Sequence, residues 1–265
     1  MKYLDLSVCV VLYRSEDETR RFHAALLQSL MGHDGWELLY YDNSPTNALR
    51  DLAPHGSTSS NVSYAHDPRN LGFSYANNQL ILTSKKRRLL LLNPDVFGFT
   101  PEHWNLVNDL DTSDCVRFAR LLNADGTFQD CVGETSSLRR ALQPRIDYSA
   151  LKDPVPVGMG IMAFMLADRS VFAEVGLLDC AYPLYAEDMD WCLRARQRGK
   201  QVIYDPRIVL THVGGASASN RWDRRGSLAR KYLAERIFID RHMRGANWLA
   251  MRALNALKRG LTHLA

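Results

Sequence analysis

Apolar positions along the chain alternate between two patterns. Residues 6–13, 36–41, 62–66 and 89–92 read as short strands, and the apolar runs 6–13 and 89–92 bear the mark of burial on both faces. Between them the spacing changes. Phe22, Leu26 and Leu30 recur at i, i+4 and i+8, and Ser15 stands three residues before Glu18, the spacing of a capping box. Residues 71–83 have helical character, and Thr100-Pro101 is a cap and first-turn pair for a helix across Trp104 and Leu110. Such alternation predicts an α/β fold with a mostly parallel open sheet flanked by helices.

The second half is less regular. Residues 116–122, 201–204 and 208–211 read as strands. Asp168 is placed to cap a helix over 169–175 that Gly176 closes, and a helix over 187–198 is stopped by Gly199. Residues 123–157, rich in Gly, Ser, Pro and charge, read as a long loop. From Trp222 onward the pattern is helical, with Trp248, Met251, Leu254, Leu257, Leu261 and Leu264 recurring every three or four residues.

Composition narrows this only where it is uneven. The 265 residues suit one large domain or a domain plus an appendage. No apolar run approaches the roughly 20 residues of a membrane span. Nothing near the N-terminus resembles a secretory cleavage site. Five cysteines without CxxC spacing speak against structural zinc and a disulfide framework, and suit a reducing cytosol. The net charge of +4 hides a split: residues 220–265 hold 11 Lys and Arg against three acids. A basic tail on an acidic body points to an anionic partner. The division expected is therefore a domain over 1–219, in halves 1–100 and 101–219, and a basic amphipathic tail over 220–265.

Ligands of an open α/β sheet bind at the carboxyl ends of its strands. Here those ends carry Tyr13-Arg14, Asp42-Asn43, Asp67 to Asn70 and Asn93-Pro94-Asp95. Asp and Asn also favour turns, so any one of them alone is ordinary. Asp95, leaving a buried strand after a rigid proline, suits a divalent cation held jointly with phosphate oxygens. There is no GxxxxGK[ST] and no GxGxxG. Residues 185–191 put Glu187, Asp188 and Asp190 at a helix start. The helix dipole explains one or two such acids; a sheltered cluster also suits general-base work. His212, at a strand end, is either structural or a metal ligand.

Taken in order, residues 11–13, Asp42-Asn43-Ser44, residues 70–78, residues 92–95, and the series Gly176 to Asp179, Tyr185 to Asp188 and His212 resemble the inverting nucleotide-sugar glycosyltransferases of family 2, which have a GT-A fold. The likeness covers about residues 5–215 and is greatest to bacterial rhamnosyltransferases of polysaccharide (O-antigen type) synthesis. It implies that Tyr13 and Asp42 hold the base, and that Asn70, Gly72, Asn77, Asn93 and Asp95 line the nucleotide-sugar site. Asn93 replaces the first acid of the family's DxD motif. Asp95 and His212 would hold Mg²⁺ or Mn²⁺, Asp188 would be the base with Glu187 beside it, and Gly160 would face the acceptor. The implied donor is dTDP-rhamnose, with galactofuranose, glucose or an N-acetylhexosamine as alternatives. The implied acceptor is a saccharide on a polyprenyl diphosphate, which puts the protein on the inner face of the cytoplasmic membrane. The tail would meet that anionic surface, or else pack on the catalytic domain or a second subunit. A non-catalytic binding module and a nucleic-acid binder are the weaker alternatives; the tail lacks interleaved aromatics and any nucleic-acid motif.

Overall fold

The computed structural model describes residues 2–53, 61–135, 146–182, 184–214 and 224–264. Strands β1 (Lys2–Leu12), β2 (His33–Asp42), β3 (Val62–His66) and β4 (Arg88–Leu92) run parallel in the order β3-β2-β1-β4. Helix α1 (Glu16–Ser29) joins β1 to β2, and α2 (Phe73–Thr83) joins β3 to β4. All five residues of β4 are buried, as its unbroken leucines require. Each such side chain contributes roughly 1.5–3 kcal/mol relative to exposure.

Beyond β4 the chain makes a short β5 (Val96–Phe97), α3 (Pro101–Asp109) and β6 (Cys115–Leu122). Short pieces β7 (Val132–Gly133), β8 (Val155–Pro156) and β9 (Met159–Gly160) follow, then β10 (Phe164–Asp168), α4 (Arg169–Val175), α5 (Glu187–Gln197) and β11 (Gln201–His212). The sheet continues β4-β10-β6-β11-β5, with β8 also on β11. β10 is antiparallel to both neighbours, whereas β6 and β11 are parallel. The long ladders are thus parallel, and one reversed strand joins the halves.

Two expected strands, 201–204 and 208–211, are one strand, irregular between Asp205 and Val209. Residues 123–157 are not one loop: they contain β7 and β8, while 136–145 lie outside the described residues. The caps need correction too. Ser15 makes no side-chain cap; its hydroxyl meets Thr19 Oγ1 at 3.1 Å. The Asp168 carboxylate accepts from Thr112 and pairs with Arg87 instead of capping α4. At α3 the expected cap forms, with the Thr100 N–H donating to His103 Nδ1 at 3.1 Å.

The C-terminal region is a hairpin of two helices, α6 (Arg224–His242) and α7 (Gly245–Leu264). Asn255 donates to the Tyr232 carbonyl and to Glu235, and Trp248 donates to Asp240, which fixes the two helices antiparallel. Their inner faces form a second apolar cluster with the first turn of α5 and the segment before it: Ala234, Phe238, Ile239, Met243 and Met251 against Tyr182 and Met189. Of the tail's expected stripe, Met251 is buried, and Trp248 and Leu254 pack on this cluster. Leu257 is exposed, and the side chains of Leu261 and Leu264 lie outside the described residues, as does Trp222. Among the described residues no helix is long and apolar enough to cross a membrane.

Candidate active site

β1 and β2 end side by side, with Leu12 opposite Asp42, so the first two polar ends meet. Asp42 is 1% exposed. One carboxylate oxygen accepts from the Ser44 N–H at 2.8 Å and the other from the Tyr64 hydroxyl at 2.6 Å. Each oxygen keeps a second lone pair for a ligand. The Arg14 N–H donates to Ser44 Oγ, and the Arg14 guanidinium lies over the Tyr13 ring. Asn70 and Gly72, both at positive φ, shape the turn into α2, and Asn43 Nδ2 reaches the Gly72 carbonyl at 3.5 Å. Asn77 is buried inside α2, its Nδ2 donating to the Phe73 carbonyl. Tyr13, Asp42, Asn70 and Gly72 thus gather at one edge, whereas Asn77 supports the helix that borders it.

The β4 end is joined to the far half of the sheet. The Asn93 N–H donates to the Ala163 carbonyl, and the short β5 pairs with β11, placing His212 opposite Val96. Asp95 and His212, 117 positions apart, meet with Oδ1 and Nε2 3.2 Å apart, each residue under a tenth exposed. Gln129 sets the imidazole. Its Nε2 donates to Asn123 Oδ1, so its Oε1 faces His212 Nδ1 at 2.6 Å and accepts from it. In the neutral ring the lone pair then lies on Nε2, toward Asp95.

Asp95 Oδ1 is buried and, among the described residues, has no hydrogen-bond partner. A lone pair facing a carboxylate oxygen calls for a cation between them. An oxygen and an imidazole nitrogen fit Mg²⁺ or Mn²⁺, with the nitrogen favouring Mn²⁺. Among the described residues no third acid, Cys or His completes a cage, so the remaining positions would fall to water and ligand phosphates. Glu18 on α1 lies within electrostatic reach: burial and then the charge of Asp95 push its carboxyl up, partly offset by Arg21 and His212. The sequence marks Glu18 only as a capping-box acid, and Gln129 not at all.

The acids at the start of α5 separate into two kinds. Glu187 and Asp188 are both pushed up, in each case first by burial, and for Glu187 also by the neighbouring Asp188 charge. Among the described residues Glu187 Oε2 has no partner, while Asp188 Oδ1 accepts from the Met189 N–H at 2.7 Å. Two such neighbouring acids ionise one at a time, so that one stays protonated while the other is free to act as a base. Asp190 differs: it is 2% exposed, and both of its oxygens are bonded by protein side chains.

The turn before the pair is strained. Tyr185 and Ala186 take φ of 70° and 66°, left-handed values that cost of order 1–3 kcal/mol each in non-glycine residues. Cys192, one turn beyond Asp188, meets the Gly160 backbone, so this face of α5 borders β9. Gly160 itself has a packing reason to lack a side chain, since a Cβ there would stand 2.3 Å from the Phe118 ring.

Residues 7–175 fit the profile of glycosyl transferase family 2. The low-salt glycan biosynthesis hexosyltransferase Agl10 of Haloferax volcanii is 26% identical over 205 residues, covering 73% of this chain and 62% of that protein. The chain thus spans less than two thirds of that relative's length. Among solved structures, the mannosyltransferase PcManGT of Pyrobaculum calidifontis, in complex with GDP-Man and Mn²⁺, is 13% identical with a TM-score of 0.63, covering 98% of this chain and 70% of that one. GalNAc-T7 with UDP, GalNAc and Mn²⁺ is 16% identical with a TM-score of 0.60, over 79% of this chain and 44% of that one. At these identities the two structures speak to the shared fold alone.

Proposed function

Since the chain belongs to glycosyl transferase family 2, we propose that it transfers a hexosyl group from a nucleoside diphosphate sugar to a hydroxyl of a saccharide acceptor, with inversion. The observation that carries the reading is the pairing of Asp95 Oδ1 with His212 Nε2 at the sheet's polar edge, in a fold that also sets the acids Glu187 and Asp188 at the start of α5.

In this reading Asp188 takes the acceptor proton as the acceptor oxygen bonds to the anomeric carbon. The bond from that carbon to the donor phosphate breaks, and the nucleoside diphosphate leaves with the electron pair. A single displacement from the opposite face inverts the centre, through an oxocarbenium-like transition state. Glu187, kept protonated by burial, leaves Asp188 as the ionised partner. Asp95 and His212 would hold Mg²⁺ or Mn²⁺, which when bound supplies charge neutralisation for the departing diphosphate. Tyr13 and Asp42 bind the base, while Asn70, Gly72 and Asn93 shape the donor site. The segment beside Gly160 receives the acceptor.

The hexosyltransferase relative supports a hexose donor. The narrower choice, dTDP-rhamnose, rests on the rhamnosyltransferase-like Asn93-Pro94-Asp95. A screen of nucleotide sugars with Mn²⁺, measuring release of nucleoside diphosphate in the presence of saccharide acceptors, tests both. Signal from dTDP-rhamnose alone is the expected result. Signal from another donor moves the specificity, and none from any donor removes the reading.

The acceptor proposed is carried on a polyprenyl diphosphate, with the protein held at the inner membrane surface by α7. Leu249, Ala253, Ala256 and Leu257 are exposed along one face of that helix, with Arg259 exposed beside them. An apolar face with basic flanks suits an anionic bilayer. Changing both Leu249 and Leu257 to Glu removes two apolar contacts of roughly 1.5–3 kcal/mol each. Sedimentation with phosphatidylglycerol vesicles should then fall at least about tenfold; unchanged sedimentation contradicts the membrane reading.

A further inference from the structure

The acid pair sits on a segment that the C-terminal helix grips from outside the region matched to the family, and the grip is specific. Asp190, two residues beyond Asp188, accepts from His242 Nε2 at 2.6 Å and from the Tyr182 hydroxyl at 3.2 Å through one oxygen. Its other oxygen accepts from Arg194 Nε at 2.8 Å. Arg194 in turn donates to the Val175 and Leu177 carbonyls, tying α5 to the end of α4. Burial raises the Asp190 carboxyl, but the His242 bond and the Arg194 charge outweigh it and hold the group ionised.

The same helix reaches the rest of the segment. Arg241 pairs with Asp179 and lies over the Tyr182 ring, and Lys231 lies 5.1 Å from the centre of the Tyr185 ring. Tyr185 is the first of the two left-handed residues that aim the start of α5. One face of α6, between Lys231 and His242, therefore holds the strained turn on one side of the acid pair and Asp190 on the other. At about 100° per residue, Asp190 lies about 200° around α5 from Asp188. Anchoring Asp190 to α6 turns Asp188 away from α6 and toward β9.

We infer that His242 is a positioning residue for Asp188: through its bond to Asp190 it sets the rotation of α5, and so the direction in which the base meets the acceptor. This rests on the function proposed above. The third acid of the cluster is then an anchor, and the basic C-terminal hairpin is part of the catalytic apparatus as well as a surface.

The test compares His242→Ala with His242→Gln in the full chain. Glutamine keeps an N–H donor of similar reach; alanine keeps none. His242→Ala should lower kcat by about 10²-fold, the scale of a misplacement near 1 Å, with the donor KM changed less than about twofold, because the donor groups lie on other elements. His242→Gln should recover most of the loss. Hydrogen exchange supplies a readout that needs no activity: His242→Ala should speed exchange over 184–190 while leaving β1 and β4 unchanged. Unaltered kcat in His242→Ala overturns the inference, as does an equal loss in both variants or faster exchange spread through the sheet. If the wild-type chain transfers no sugar, the proposed function fails by itself, and the exchange experiment still decides whether His242 orders the segment.

Discussion

Replacing Asp188 by Asn should lower the transfer rate by about 10²–10⁴-fold, the usual worth of a positioned general base, with little change in donor affinity. The substitution keeps the shape of the side chain and its bond from the Met189 N–H, but removes the lone pair that would take the proton. The sign of the pH dependence follows from the same environment. Burial pushes the Asp188 carboxyl up, so it remains protonated to higher pH than an exposed aspartate does. Activity should therefore rise with pH through that raised value and be lost below it. In Asp188→Asn the acidic limb should vanish from what activity remains. A rate profile of both proteins at saturating donor, with donor affinity by calorimetry, makes the check. An Asp188→Asn protein with near wild-type kcat, or one that no longer binds donor, contradicts the assignment of the base.

Replacing Asp95 by Asn should be as damaging for a different reason. It removes the negative oxygen that faces His212 Nε2 and leaves the imidazole without its carboxylate partner. Metal-assisted charge stabilisation is worth several kcal/mol, so transfer in Mn²⁺ should fall by about 10²-fold or more. Binding gives the sharper reading, because it does not depend on turnover. Titration of the wild-type chain with nucleoside diphosphate and Mn²⁺, followed by electron paramagnetic resonance, should show bound Mn²⁺ that Asp95→Asn loses. A chelator should remove wild-type activity and added Mn²⁺ restore it. Equal Mn²⁺ binding by both proteins would place the metal elsewhere.

The parts legible in the sequence are those in which neighbours along the chain decide the structure. The apolar runs of β1, β2 and β4 are largely buried, β3 being the half-exposed edge strand, and the polar ends of all four gather at one edge because parallel strands bring like ends together. The reversed strand β10 gives no such signal. Phe164–Asp168 reads as any apolar stretch, and only its pairing with β4 on one side and β6 on the other shows that it joins the halves. The meeting of Asp95 with His212 depends on the β5–β11 pairing between distant segments. Their candidacy could be read from residue type and strand position, but not their contact.

The acid cluster marks the same boundary. Glu187, Asp188 and Asp190 are alike as letters within four positions. What separates them is the company each keeps: an orphaned buried oxygen, a bond from the next N–H, and a buried network closed by His242 from 52 residues away. The tail shows it again. Its periodicity announced a helix, whereas the share of its apolar stripe that is covered depends on the surface it meets, here the segment carrying Tyr182 and Met189.

The most direct test of the central claim is a crystal structure of the chain with a nucleoside diphosphate and Mn²⁺, with data collected at the manganese edge. An anomalous peak is expected between Asp95 Oδ1 and His212 Nε2, within about 2.3 Å of each, with the diphosphate on its open side and the Asp188 carboxylate facing the same hollow. A peak away from that pair, or a nucleotide bound where Asp188 cannot face it, contradicts a shared site of Asp95, His212 and Asp188.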